Sequence, residues 1–281
     1  MIVVTGATGN VGRSLVRTLA AAGERVTATS RGVSAADVPR GTRHHRADLT
    51  EPETLRPAFD GADALFLQNG GPSALLLDPH AILGLAKAGG ITRVVLLSSQ
   101  GAATRPESAS HGGTVRAIED AVRQSGLDWT ILRPGGFHSN AYAWAESVRT
   151  RRVVAAPFAD VGLPMIDPAD VADAAAATLR RDGHTGRIYD LTGPALVTPR
   201  RAAREIGDAL GEPVRLEELS RAEARALMTR FMPEPVADTT LDILGSPTPA
   251  ERRVSPDAER LLGREPATFA DWAHRHAAAF R

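Results

Sequence analysis

The sequence predicts an α/β fold: a doubly wound parallel sheet followed by a smaller, mainly helical C-terminal lobe. Three observations predict it. A short apolar strand, Ile2 to Thr5, runs into a glycine-rich turn and then into an amphipathic helix. Short β-branched and apolar runs then alternate with helical patterns through the first half of the chain. Beyond about residue 135 the alternation fades, helical patterns dominate, and proline breaks appear at Pro157, Pro164, Pro168, Pro199, Pro233, Pro235, Pro247 and Pro249.

The elements follow in order. IVVT at 2 to 5 reads as the first buried strand, and Val11, Leu15, Val16 and Leu19 form one apolar helix face that stops at Gly23. RVTATS at 25 to 30, ADALFLQ at 62 to 68, RVVLLSS at 93 to 99 and DWTILRP at 128 to 134 are near-continuous apolar runs, the pattern of parallel strands covered on both faces. A further strand closes at Asp48 and Leu49, and Val115, Ile118 and Val122 mark a helix face ending before Gly126. Strand, helix, strand repeated with right-handed crossovers makes a Rossmann-type sheet. Residues 1–139 are assigned to it, and residues 140–281 to a mainly helical substrate lobe, with RIYDLTG at 187 to 193 returning to the sheet.

Composition narrows the function classes. The 281 residues carry no net charge, with 43% hydrophobic and 23% charged residues, an ordinary globular balance with no positive field to gather nucleic acid or anionic lipid. Cysteine is absent, which excludes disulfides and thiolate chemistry. With no leader segment and no long apolar run, the expectation is a cytoplasmic protein away from any membrane; a homodimer is compatible with it. No metal site is expected: His44 and His45 would point to opposite faces of a strand, and Asp167, ahead of Pro168, reads as a helix cap beside Asp170 and Asp173. No GxSxG elbow is present.

The glycine turn carries the strongest chemical signal. Gly6, Gly9 and Gly12 lie between strand and helix, where one glycine allows the sharp turn, one lets the backbone approach a pyrophosphate, and one lets helix and strand pack closely. Thr5, Thr8, Asn10 and Val11 complete the loop, and the helix-start amides face the phosphate charge. The second strand ends Ser30-Arg31, where an arginine fork and a hydroxyl suit the 2′-phosphate of NADP and no carboxylate stands in place to select NAD. A solvated arginine is the plain alternative. Asp48 and Leu49 are placed to flank the adenine, with a turn aspartate as the other reading.

TGATGNVG at 5 to 12, Ser30-Arg31, Ala47-Asp48-Leu49, LLSS at 96 to 99, TILRPGGFHSN at 130 to 140 and MIDPADVADAAAATL at 165 to 179 resemble the NmrA-like group of atypical short-chain dehydrogenase/reductases over nearly the whole length. The resemblance implies NADPH as cofactor and a reductase of quinones, dyes or aromatic metabolites; the group also contains non-catalytic NADP-sensing regulators. The chain departs from mainstream short-chain dehydrogenases, which pair a tyrosine with a lysine four positions later. Tyr142 and Tyr189 are followed at that spacing by Glu146 and Gly193, and the single lysine is Lys87.

Other groups fall at the carboxyl ends of the strands, where ligands of open α/β sheets bind. These are Gln68 and Asn69, Ser98, and Arg133-Pro134-Gly135 for the cofactor. His111, at a helix start roughly where relatives place a lysine or histidine, is the candidate proton donor, with a surface histidine as the alternative. Ser98 and Ser99 are candidates for binding a carbonyl oxygen, or close off a strand end. Phe137, His138, Asn140, Tyr142 and Trp144 are the candidate substrate contacts, against a core role for the aromatics. Together these residues point to an NADPH-dependent reductase acting by direct hydride transfer on an aromatic, quinone-like or conjugated carbonyl compound. The alternatives are a redox sensor and a biosynthetic epimerase or dehydratase.

Overall fold

A computed structural model of the chain describes residues 1–32, 34, 37–68 and 71–281. In chain order the first elements are β1 (Ile2–Thr5), α1 (Asn10–Ala21), β2 (Val26–Ser30), β3 (Arg43–Arg46), α2 (Arg56–Phe59), β4 (Ala64–Gln68), α3 (Pro79–Ala88), β5 (Arg93–Leu97), α4 (Gly101–Thr104), α5 (Gly113–Gln124) and β6 (Asp128–Pro134). There follow α6 (Ala145–Arg151), β7 (Val153–Pro157), α7 (Pro168–Arg180), β8 (Arg187–Leu191), α8 (Pro199–Leu210), β9 (Arg215–Leu219), α9 (Arg221–Met228), α10 (Glu234–Gly245), α11 (Asp257–Leu262) and α12 (Phe269–Arg275).

The chain divides into two compact units. The first comprises residues 1–134, 168–190 and 260–263, and the second residues 135–167, 191–259 and 264–281. The division expected at 139/140 therefore differs in one main respect: α7 falls in the first unit. Its alanine-rich surface packs along α1, and the Thr18 hydroxyl donates to Asp173 at 3.0 Å.

The seven-stranded sheet has the order β3-β2-β1-β4-β5-β6-β8, the doubly wound Rossmann arrangement. β1 pairs in parallel with β2 and β4, β2 with β3, β4 with β5, and β5 with β6, so Thr5, Ser30, Gln68, Leu97 and Pro134 all end at one edge. The order reverses between β1 and β4, and that switch point opens the crevice in which ligands of such sheets lie. Thr5 closes it from below, its buried hydroxyl donating to the Phe66 carbonyl and accepting from the Gln68 amide, both at 3.0 Å. The core on one sheet face joins Val3, Leu65, Val94 and Ile131 to Phe59, Ile82, Leu83, Ile118 and Val122. β3 departs from the buried pattern: RHHR is largely exposed, as suits the charged edge strand of a sheet.

The second unit contains an element that sequence periodicity missed, a two-stranded parallel sheet of β7 and β9. RLEEL carries two adjacent acids and little apolar alternation, so its strand character comes from pairing with VVAAP. Helix α8 packs on this sheet and α12 on α8, and the core of this unit buries Val148, Val154, Ile206, Phe269, Trp272 and Phe280. Among the described residues no helix is long and apolar enough to cross a membrane.

Candidate active site

The glycine turn has the geometry that a phosphate cradle requires. Gly6 takes φ +61°, and its missing side chain leaves room for Gln68, whose amide group would otherwise lie 2.2 Å from a Cβ. A Cβ on Gly12 would lie 2.2 Å from the Gly6 carbonyl oxygen, so only glycine lets α1 start this close to the exit of β1. The Gly9 amide closes the turn on the Gly6 carbonyl at 2.9 Å, and the Arg13 guanidinium holds the Thr8 carbonyl at 3.0 Å. Helix α1 then begins without a side-chain cap and without an acid in its first turn, while Gly9 and Asn10 are exposed and Val11 is buried. A helix start with uncapped amides behind an exposed glycine fits a dinucleotide pyrophosphate.

At the end of β2 the buried Ser30 hydroxyl has no partner among the described residues, and Arg31 beside it is exposed. Asp48 is committed to a turn: its carboxylate accepts from the Thr50 amide and hydroxyl, each at 2.9 Å. These bonds, the backbone one first, hold its carboxyl below the ordinary range with a smaller contribution from Arg31. The turn-aspartate reading thus describes its contacts, and Leu49 packs partly onto the core instead of standing free. Asn69 lies outside the described residues.

The carboxyl ends of β5 and β6 hold the feature that sequence reasoning missed. Glu119, on α5, is fully buried and accepts from four donors: Arg133 Nε at 2.8 Å and Nη2 at 2.6 Å, Arg123 Nη2 at 2.7 Å, and the Ser98 hydroxyl at 2.5 Å. Burial pushes its carboxyl up, but the hydrogen bonds from Arg133, Ser98 and Arg123 and the Arg133 charge outweigh it and hold the carboxyl below the ordinary range. The signal was present: Glu119 lies on the helix face of Val115, Ile118 and Val122, where an acid is out of place.

This cluster corrects one expectation. Ser98 has one proton, and it goes to Glu119, so its hydroxyl is not a donor to a substrate carbonyl. The Arg133 guanidinium makes a bidentate ion pair with Glu119 inside the first unit. Thr5 is likewise a bolt between β1 and β4, since its hydroxyl is spent on the sheet. Ser99 accepts from the Gly101 amide at 3.1 Å. Around Gly101 a Cβ would meet the His111 main-chain carbonyl at 3.1 Å and the Ser99 hydroxyl at 3.4 Å, so both border Gly101. The His111 ring is half-buried and anchored by Ser110, Oγ to Nδ1 3.0 Å, just ahead of α5.

In the second unit, Gly135 donates to the Leu191 carbonyl at 3.0 Å, and the segment from Phe137 continues into a 3-10 turn, His138–Trp144. His138 is fully buried, edge-on to Phe269 with ring centroids 5.3 Å apart, so it is a core residue and not an open substrate contact. Trp144 packs onto the same core, and Asn140 is exposed. Tyr142 is 40% exposed, stacks near Phe280 and Trp272, and shares a 2.8 Å hydrogen bond with His276 Nδ1. Burial, then the Asp167 charge, raises its phenol. Asp167, expected to cap α7, is buried in a pair with Arg275. Among the described residues no group of histidines and carboxylates is arranged to hold a metal.

Residues 6–182 match the family described as NAD(P)H-binding. The chain belongs to that family. It is 37% identical over its full length, and over 99% of the relative, to the (4-alkanoyl-5-oxo-2,5-dihydrofuran-3-yl)methyl phosphate reductase of Streptomyces griseus. It is 31% identical, again over its full length and 99% of the relative, to the NAD(P)H azoreductase of Xenophilus azovorans. Among solved structures, the Escherichia coli NADPH-dependent quinone oxidoreductase in complex with NADPH superposes with a TM-score of 0.81 at 25% identity, covering 98% of this chain and 99% of that one. The resemblance to NmrA-like atypical short-chain dehydrogenase/reductases holds, and the protein is an NAD(P)H-dependent reductase.

Proposed function

We propose that this reductase uses NADPH in preference to NADH and reduces the conjugated system of a quinone-like or α,β-unsaturated carbonyl compound. The observation that carries the cofactor choice is the end of β2, where the Ser30 hydroxyl, without a partner among the described residues, and the exposed Arg31 stand together and the strand ends on no acid. Gly6, Gly9 and Gly12, with the amides of Asn10 and Val11, would hold the pyrophosphate, and Gln68 at the switch point would border it. NADPH, when bound, supplies the hydride.

The spacing around the two tyrosines supports this substrate class. A tyrosine acid lowered by a lysine is what simple carbonyl reduction calls for, and neither tyrosine has that lysine. A conjugated acceptor needs chiefly a held planar face and a proton delivered afterwards. His111, its ring anchored by Ser110 just ahead of α5, is the donor we assign. The S. griseus relative, named for a 5-oxo-dihydrofuran bearing an alkanoyl group, and the X. azovorans azoreductase, named for azo compounds, support an acceptor of this kind.

The test is NADPH and NADH titration followed by NADPH oxidation against a panel of quinones, enones and unsaturated lactones. Tight NADPH binding with turnover of conjugated acceptors is expected. Equal affinity for NADH, or turnover of saturated ketones alone, would overturn the reading.

A further inference from the structure

We infer that Glu119 is a positioning residue of the reductase site, a buried anion that holds the carboxyl ends of β5 and β6 in one geometry for the nicotinamide half of the cofactor. The inference rests on the NADPH-dependent reading above. In a doubly wound sheet the first half, β1 to β3, takes the adenosine half of a dinucleotide, and the second half, β4 to β6, takes the other end. The second half terminates here in two strand exits, and Glu119 ties both. Through the Ser98 hydroxyl it holds the residue after β5, and through both nitrogens of the Arg133 fork it holds the residue before Pro134. The backbone links the same two exits, with the Ser98 amide on the Leu132 carbonyl at 2.8 Å and the Gln100 amide on the Pro134 carbonyl at 2.9 Å.

Stability alone gives little reason for this arrangement. A buried carboxylate with two guanidinium partners loses so much hydration that apolar groups of similar size often serve as well or better. What a fully satisfied charge cluster supplies is direction. The bidentate fork fixes the Arg133 plane, and the hydroxyl bond fixes the Ser98 rotamer. All four donors come from within the same unit, and Arg123 is itself shared with Asp120 at 2.7 Å, so the cluster closes without a ligand. It therefore acts on the reaction through the backbone it holds, not by touching the reacting atoms.

The experiment compares the full-length wild type with Glu119→Gln, Arg133→Lys and Arg93→Gln. Arg93 opens β5 at the opposite edge, where it binds the Leu179 carbonyl at 2.9 Å and Asp182 at 2.7 Å, and it serves as a control away from the two strand exits. Four quantities are read: Tm, the NADPH Kd, kcat with a naphthoquinone using NADPH with and without deuterium at C4, and the fluorescence emission of bound NADPH. Glu119→Gln and Arg133→Lys are expected to lower kcat on the order of 10- to 100-fold, with a changed isotope effect and emission and a Kd within about threefold of wild type. Arg93→Gln is expected to lose Tm and keep kcat.

Should Glu119→Gln fail to fold, Arg133→Lys, which keeps the charge and loses the fork, carries the test. If both variants keep the wild-type kcat, isotope effect and emission while only Tm falls, as in Arg93→Gln, the cluster is structural and the inference is wrong. If the wild type itself turns over no acceptor, the functional reading fails, and the emission of bound NADPH alone then decides for or against Glu119.

Discussion

Gly12→Ala tests the glycine turn most directly. In the native loop a Cβ at Gly12 would sit 2.2 Å from the Gly6 carbonyl oxygen, 2.8 Å from its carbon and 3.0 Å from the Ala7 Cα, all backbone atoms without a rotamer to change, whereas ordinary contact begins at 3.4 Å. The start of α1 must therefore move off the turn by roughly 1 Å. Overpacking of this kind costs about 1–3 kcal/mol. At about 2–4 °C per kcal/mol for a domain of this size, Tm should fall by roughly 2–12 °C. The same shift withdraws the first amides of α1 from the phosphates. A helix terminus stabilises an anion by about 0.3–2 kcal/mol, so the NADPH Kd should rise by up to roughly 30-fold. Gly9→Ala is the companion: its Cβ meets only the Gly6 oxygen, at 3.3 Å, so Tm should hardly change while NADPH affinity falls, because the methyl group enters the exposed approach to the loop. Calorimetry and NADPH fluorescence titration of both variants give the answer. Wild-type affinity in both would refute the reading of this turn as the phosphate cradle.

Arg31→Ala removes the charged donor beside Ser30. NADPH binding should weaken by about 1.5–3 kcal/mol, roughly 10- to 150-fold, with NADH affinity unchanged, as competitive titration will show. The lowered carboxyl of Glu119 contributes stability that is present above the ordinary carboxylate pKa and lost as pH falls through the lower folded value, so Tm should drop on acidification below about pH 4.5. A Glu119→Gln variant that folds should lack that part of the acid limb. Ser98→Ala leaves the buried carboxylate short of one donor and should cost about 1–3 kcal/mol in a denaturation series. Gly245→Ala should destabilise the protein by about 1–3 kcal/mol: the new Cβ would fall 2.6 Å from the Phe158 ring, whose residue is already held at φ +55° and has little freedom to retreat.

Much of the fold was legible because parallel strands announce themselves one at a time. IVVT, ALFLQ, RVVLL and DWTILRP are local apolar runs, and the glycines at 6, 9 and 12 mark a turn where backbone and helix must approach within contact distance. β9 was not legible, because RLEEL is a strand only through its pairing with VVAAP about 60 residues earlier. α7 shows the same limit. Its alanine-rich sequence states that it packs closely against something, but only the three-dimensional arrangement shows that its partner is α1.

The site divides in the same way. By itself the sequence determined the class of ligand, since a strand, a spaced glycine turn and a helix start are consecutive in the chain and a pyrophosphate is read by backbone amides there. It also shows that four positions after Tyr142 and Tyr189 stand Glu146 and Gly193 and not a lysine. Only the tertiary structure decided what the individual side chains do. Ser98, Glu119 and Arg133 stand 21 and 14 residues apart, and their hydrogen bonds form only when α5 lies against the exits of β5 and β6. A polar side chain's role depends on which partner takes its proton or charge, and for these buried groups that partner is distant in sequence.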